Sequence, residues 1–131
     1  MGNTFFGIFM LLHGLVHIWY IVLSRQWVAF TPEMGYSGQS WLLSKPLGDG
    51  STRLLASLLY GLSTVVMVIA AISILCNGGW MRPWLIIGSI CSAMTILICW
   101  DGSFERIIEK GLIGFLINIV SIGLALGNSW L

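Results

Sequence analysis

The chain has 131 residues, of which 57% are hydrophobic and only 8% charged, and its mean hydropathy is +0.93. Soluble domains carry roughly 25% charged residues, so this chain has too few charges to build a water-facing surface. The composition therefore predicts a single integral membrane domain over residues 1–131. Its net charge of +1 is too small to indicate nucleic-acid binding, and we expect no nucleic-acid partner.

Four apolar stretches are long enough to cross a bilayer, and they cover approximately residues 4–24, 54–76, 80–100 and 107–127. Each is close to the ~20 residues that a helix needs to cross ~30 Å of hydrocarbon. Backbone groups in lipid must be paired within their own segment, which favours helices. The sequence thus predicts an all-α fold, a four-helix transmembrane bundle.

The first connection, residues 25–53, is too long for a simple loop and is rich in apolar side chains such as Trp27 and Trp41. This content predicts a structured interfacial or re-entrant segment that lies against the membrane. Its second half, "SGQSWLLSKPLGDGSTR", predicts a short helix followed by a turn at "GDGS", with Ser51 or Thr52 as the cap of the second long helix.

The basic residues are distributed unevenly among the three connections. Arg82 is the single one in the second connection, and neither end of the chain carries any. The first and third connections hold the other five: Arg25, Lys45, Arg53, Arg106 and Lys110. Because cytoplasmic loops are enriched in Lys and Arg, this pattern predicts a multi-pass protein of the plasma membrane with these two connections in the cytoplasm and both termini outside.

Two histidines interrupt the first apolar stretch, in the segment "LLHGLVHIWY". His13 and His17 are spaced i, i+4, so in a helix they share one face. Gly14 beside them allows another helix to approach closely. Ionisable residues inside a membrane usually face the bundle interior and are candidates for function.

Other polar side chains fall at a similar predicted depth in the remaining helices. They suggest a polar pocket that opens toward the cytoplasm and has Asp101 at its mouth. The candidate ligand-binding residues are His13, His17, Tyr60, Thr95, Asp101 and Asn118.

Three interpretations of the histidines remain open. They can form structural hydrogen bonds to neighbouring helices, or bind a ligand, lipid or proton, since the pKa of histidine lies near neutrality. They can also ligate a metal ion or haem, for which His13 and His17 are the candidate ligands. Asp101 is then the one plausible third ligand, although it lies two or more turns from His13 in depth. No cofactor is firmly implied.

Three motifs carry a resemblance: "HGLVH" in the first stretch, "SKPLGD" followed by "TRLLAS", and "WDGSFERIIEKGLIGFLIN". With these motifs the chain resembles an uncharacterised family of small four-helix prokaryotic integral membrane proteins. The resemblance covers most of the chain and implies a shared fold, without an activity, substrate or cofactor. It points to eight polar positions for testing: His13, His17, Lys45, Asp49, Arg53, Asp101, Lys110 and Asn118.

These observations favour a non-enzymatic accessory or assembly subunit, or a homo-oligomer, whose partners are the lipid bilayer and other membrane subunits. The alternative is a binder or carrier of a small ligand, lipid or proton through His13, His17, Asn118 and Asp101, and a second alternative is a metal or redox site at the two histidines. The first helix holds no carboxylate, which disfavours a small drug exporter. Small residues spaced by four, Gly88 with Ser92 and Gly123 with Gly127, indicate close helix packing.

Overall fold

The computed structural model describes residues 1–127, and over these residues it contains four α-helices and no strand. They are α1 (Gly2–Ser24), α2 (Ser44–Leu75), α3 (Met81–Cys99) and α4 (Leu112–Gly127), with a 3-10 helix at Pro32–Met34 in the first connection. The predicted all-α four-helix bundle is confirmed. The predicted location of the C-terminal end concerns residues 128–131, which lie outside the described residues.

Three of the helices, α1, α2 and α3, are long and apolar enough to cross a membrane. The fourth is shorter: the prediction began it at residue 107, whereas α4 begins at Leu112 and spans 16 residues, or roughly 24 Å. The backbone explains the late start, because Arg106 (φ 50°) and Gly111 (φ 111°) both adopt left-handed conformations that interrupt a right-handed helix.

Helix packing follows the order of the chain, with α1 on α2, α2 on α3, and α3 on α4. Small residues bring α1 and α3 close to α2. A Cβ atom at Gly14 would lie 2.9 Å from Met67 Cβ, and one at Gly88 would lie 2.9 Å from Met67 Sδ. The expected close approach at Gly14 is therefore confirmed, and its partner is α2.

Two apolar cores lie one above the other along the bundle. One contains Tyr20, Tyr60 and Cys99, and the other contains Met10, Met67 and Leu85. The polar residues between them in each helix form a buried layer, which includes His13, His17, Ser63, Ser92, Thr95 and Asn118. This layer is the part of the fold that concerns function.

The first connection is structured, as predicted. Ser44–Leu47 form a short helical segment, and Gly48 (φ 77°) then introduces a kink within the predicted "GDGS" turn before α2 continues. The predicted cap is wrong, because Thr52 lies inside the helix, where its hydroxyl donates to the Gly48 carbonyl at 2.6 Å. The helix resumes directly after the kink at Gly48. Neither Ser51 nor Thr52 is therefore the first residue of this second part of α2.

The first and third connections meet at the same end of the bundle. The backbone nitrogen of Trp41 donates to Trp100 O at 2.7 Å, and the Tyr20 hydroxyl donates to Glu109 O at 2.9 Å. At the opposite end, Asn3 Nδ2 donates to Asn77 Oδ1 at 2.7 Å, which places the start of α1 beside the second connection.

Candidate functional site

Four polar side chains from three helices join in one buried hydrogen-bonded network. His13 Nε2 lies 3.0 Å from Asn118 Oδ1, and Asn118 Nδ2 donates to Ser92 Oγ at 2.7 Å. Ser92 Oγ lies 2.6 Å from His17 Nε2, which closes the path back to α1. The side chains of Ser92 and Asn118 have no exposed surface. The network thus ties α1, α3 and α4 together across the bundle.

The acceptors in the network determine where the protons lie. His17 Nδ1 is 3.1 Å from both His13 O and Gly14 O, and carbonyl oxygens only accept, so Nδ1 carries the proton. His17 Nε2 then has a lone pair, to which Ser92 donates. A neutral His17 satisfies each of these contacts.

The same reasoning places a proton on Nε2 of His13. Asn118 Nδ2 donates to Ser92, so its Oδ1 faces His13 Nε2 and accepts the proton that this nitrogen carries. The neutral His13 ring then has a lone pair on Nδ1. Within residues 1–127, that nitrogen has no hydrogen-bond partner, and the one fully buried unpaired side-chain N or O atom is Ser89 Oγ. His13 Nδ1 consequently borders open space.

His13 lines a cleft of about 200 Å³ between α1 and the beginning of α4. His13 and His17 form part of one wall, and Gly111 and Gly114 form part of the other. A Cβ atom at Gly114 would lie 3.3 Å from His13 Cε1, so the glycine backbone packs directly beside the His13 ring and has no side chain to fill the cleft. The cleft exists because α4 packs on α3 rather than closely on α1.

An aromatic cluster separates the network from the first connection. The rings of Tyr20 and Tyr60 stack with centroids 4.9 Å apart, and Tyr36 packs edge-on against both. Tyr60 also lies 5.9 Å from the His17 ring, centroid to centroid. Burial raises the pKa of Tyr36, whose hydroxyl lies 3.1 Å from Ser24 Oγ. The predicted pocket open toward this end is therefore filled by tyrosine rings.

The structure brings together some of the residues predicted for the site and separates others. His13, His17 and Asn118 meet in one network, whereas Thr95 Oγ1 lies 2.9 Å from Ser63 Oγ in a separate pair between α3 and α2. Ser92 belongs to the site although its spacing to Gly88 indicated only packing. The signal that identifies it is its position three residues before Thr95, on the same face of α3 and at the same depth as His17.

Asp101 is not among the residues that line the cleft beside His13, and its role in the site stays a prediction. Its carboxylate is paired with Lys110 Nζ at 2.9 Å, and the Lys110 side chain is 7% exposed. The extended backbone of Trp100 directs the chain away from α3, and the ion pair then stabilises the folded third connection. Asp101 is thus a structural residue of this connection.

The remaining polar positions suggested by the resemblance lie in the first connection and at the start of α2. Arg53 Nε donates to Asp49 Oδ2 at 3.0 Å, and its NH2 group donates to Ser37 O at 2.7 Å. Arg53 therefore ties the first connection to α2. Lys45 is exposed.

The histidines are poorly placed to share a metal ion. Their ring centroids are 5.4 Å apart with an interplanar angle of 78°, and both Nε2 atoms face other partners, Asn118 and Ser92. Among residues 1–127, no group of three or more His, Cys, Asp or Glu side chains could hold a metal ion. A shared ion would require His17 to leave the network, because both of its ring nitrogens are bonded inside the bundle.

The fold and the polar layer define the class of this chain: an all-α four-helix bundle with three helices long and apolar enough to span a membrane. Comparison with protein families, with curated proteins and with solved structures finds no match. The resemblance to the prokaryotic four-helix family stays a prediction, so the function has to be argued from the geometry.

Proposed function

We propose that this chain is a multi-pass protein of the plasma membrane with its first and third connections in the cytoplasm. The support is the hydropathy of α1–α3 together with the large apolar side chains on the outer surface of the bundle, such as Leu12, Val65 and Val120, each more than half exposed. The contact between the first and third connections adds to this argument, since it puts the five predicted cytoplasmic basic residues at one end.

Within the membrane, the protein acts as a non-enzymatic component, either an accessory or assembly subunit or a homo-oligomer. The observation that carries this proposal is the closed network of His13, His17, Ser92 and Asn118. Three of the four histidine ring nitrogens are hydrogen-bonded inside the bundle. We therefore infer that these rings connect helices rather than serve as catalytic groups. Interhelical hydrogen bonds of this kind stabilise membrane bundles by ~0.6 to 2 kcal/mol each.

The outer face of α4 supports association with another helix. Gly123 and Gly127 are spaced by four and both are exposed, and a Cβ atom on either would meet no atom of residues 1–127 within 4 Å. Small residues at this spacing let a neighbouring helix approach closely in a membrane. A second copy of the chain or a subunit of a larger complex provides such a helix.

The experiment is native mass spectrometry of the protein extracted gently from its own membrane. The expected species is a homo-oligomer or a stoichiometric complex with another membrane protein, free of metal and haem. A monomer that carries a metal ion or haem would overturn the proposal. The double variant His13→Gln, His17→Gln is the companion sample: we expect weaker assembly, with no change in bound metal.

A further inference from the structure

His13 lines the cleft between α1 and α4, and no hydrogen bond to its Nδ1 is found among the described residues. The His13 side chain is otherwise enclosed, with 8% of its surface exposed. Asn118 holds the ring proton on Nε2, so Nδ1 offers a fixed lone pair to whatever occupies the cleft. A buried acceptor of this kind favours an occupant with a hydrogen-bond donor.

The rest of the lining is mainly apolar and excludes charged occupants. Ile96 lies at the cleft floor, and Ile117 and Gly114 belong to the α4 wall. Within the described part of the chain, the lining contains no carboxylate to compensate a cation, and the lone pair of Nδ1 repels an anion or a bare carbonyl oxygen. The compatible head group is therefore a neutral hydrogen-bond donor, such as a hydroxyl.

The size of the cleft and the direction of its opening indicate what the apolar part of the ligand is like. Its volume is about 200 Å³, and a cavity of roughly 150 Å³ is enough for benzene. Val16 and Ile113 at its rim are each 54% exposed, on the outer surface of α1 and α4. If these helices lie in a membrane, the cleft opens sideways to lipid, and a compound dissolved in the bilayer enters without crossing water.

We propose that this cleft binds a small lipophilic phenol, whose hydroxyl donates to His13 Nδ1 and whose ring packs against Ile96 and Ile117. Gly111 and Gly114 keep side chains out of this part of the lining, because a Cβ atom at Gly111 would lie 3.1 Å from Ile96 Cγ2 and one at Gly114 would lie 3.3 Å from His13 Cε1. This ligand site goes beyond the proposed role as a membrane subunit and does not depend on the oligomeric state.

The test uses the full chain in lipid nanodiscs, labelled with ¹⁵N-histidine, and titrates 4-ethylphenol against 4-ethylanisole by nuclear magnetic resonance. The two probes have similar apolar bodies, but the methyl ether has no donor. We expect a saturable shift of the His13 Nδ1 signal with the phenol, and an affinity roughly tenfold lower or worse for the ether. Equal affinity for both probes, or a shift that does not saturate, would overturn the proposal.

A pair of variants provides the second measurement. Gly114→Val places methyl groups in the cleft and should abolish phenol binding. Gly2→Val makes the same change on α1, away from the cleft, and should bind the phenol like the wild type. If Gly114→Val bound the phenol with wild-type affinity, the proposed site would be wrong. If Gly114→Val does not fold, the comparison of the two probes on the wild-type chain decides the question alone.

Discussion

At the scale of single residues, Asn118 is the centre of the buried layer. Its amide contacts groups from two other helices, accepting from His13 on α1 and donating to Ser92 on α3. Asparagine suits this position because one side chain provides both a donor and an acceptor. Both bonds are compatible with neutral His13 and His17 rings.

Replacing Asn118 with leucine should destabilise the bundle, because His13 Nε2 would lose its acceptor and Ser92 its donor in a buried layer. We expect the free energy of unfolding to fall by about 2 kcal/mol. Denaturation in detergent micelles measures it. Asn3→Leu is the control, because it removes a bond at the surface and should change stability by less than about 0.5 kcal/mol. Equal effects of the two variants would contradict a structural network.

Ser89 is the opposite case, since its buried hydroxyl has no partner within residues 1–127. Ser89→Ala should raise the free energy of unfolding by about 1 kcal/mol, because an unpaired polar group is removed from the interior. Ser92→Ala, three residues further along α3, should lower it, since that hydroxyl bonds His17 and Asn118. Thermal denaturation of the two variants side by side tests the difference. A loss of stability in Ser89→Ala would show that this hydroxyl has a partner in the folded protein.

At the scale of helices, α2 is the element on which the bundle is assembled. Gly14 of α1 and Gly88 of α3 contact Met67 of α2 from two sides. A flexible methionine fills the space between two glycines, and in this way α2 packs closely against both neighbours. The fourth helix joins through α3 and the polar network, which leaves the cleft between α1 and α4 open.

Gly14→Ala tests this packing. The added Cβ would lie 2.9 Å from Met67 Cβ, so α1 and α2 must separate. Alanine has the better helix propensity, yet we expect a net loss of about 1 to 2 kcal/mol from overpacking. The control is Gly2→Ala in the same helix, where a Cβ meets nothing within 4 Å, and which should be near neutral. A Gly14→Ala protein as stable as the wild type would exclude a tight contact here.

At the scale of the whole molecule, the two ends of the bundle differ in structure and charge. The first and third connections pack together and hold most of the basic residues, whereas the second connection is a short turn beside the start of α1. This asymmetry supports the proposed orientation, because the basic end is the one expected to remain in the cytoplasm.

Thiol labelling of intact cells checks the orientation. Cys76 at the end of α2 is exposed and adjoins the second connection, so a membrane-impermeant maleimide should label the wild-type protein from outside. The double variant Cys76→Ser, Lys45→Cys moves the exposed thiol to the first connection and should react only after the membrane is opened. Labelling of this double variant in intact cells would show that the topology is the reverse of the proposed one. It would not contradict the fold.

The sequence predicted the helices better than it predicted the site. Hydropathy located α1 and α3 within a few residues, but it placed the start of α4 five residues early, because the left-handed backbone at Gly111 has no signature in apolar content. It also assigned Asp101 to the pocket by depth alone. The ion pair with Lys110 depends on how the third connection folds back, which hydropathy does not report.

The amino-acid sequence by itself determined that this chain forms apolar helices, that two histidines lie inside the first helix, and that the basic residues concentrate in two connections. Only the tertiary structure decided that His13 and His17 bond to Asn118 and Ser92, that tyrosine rings fill the end of the predicted pocket, and that a cleft remains beside Gly114. The physical reason is the range of the interactions. Hydropathy and helical spacing are local properties of the chain, whereas hydrogen-bond partners and cavities depend on the rotation and packing order of separate helices.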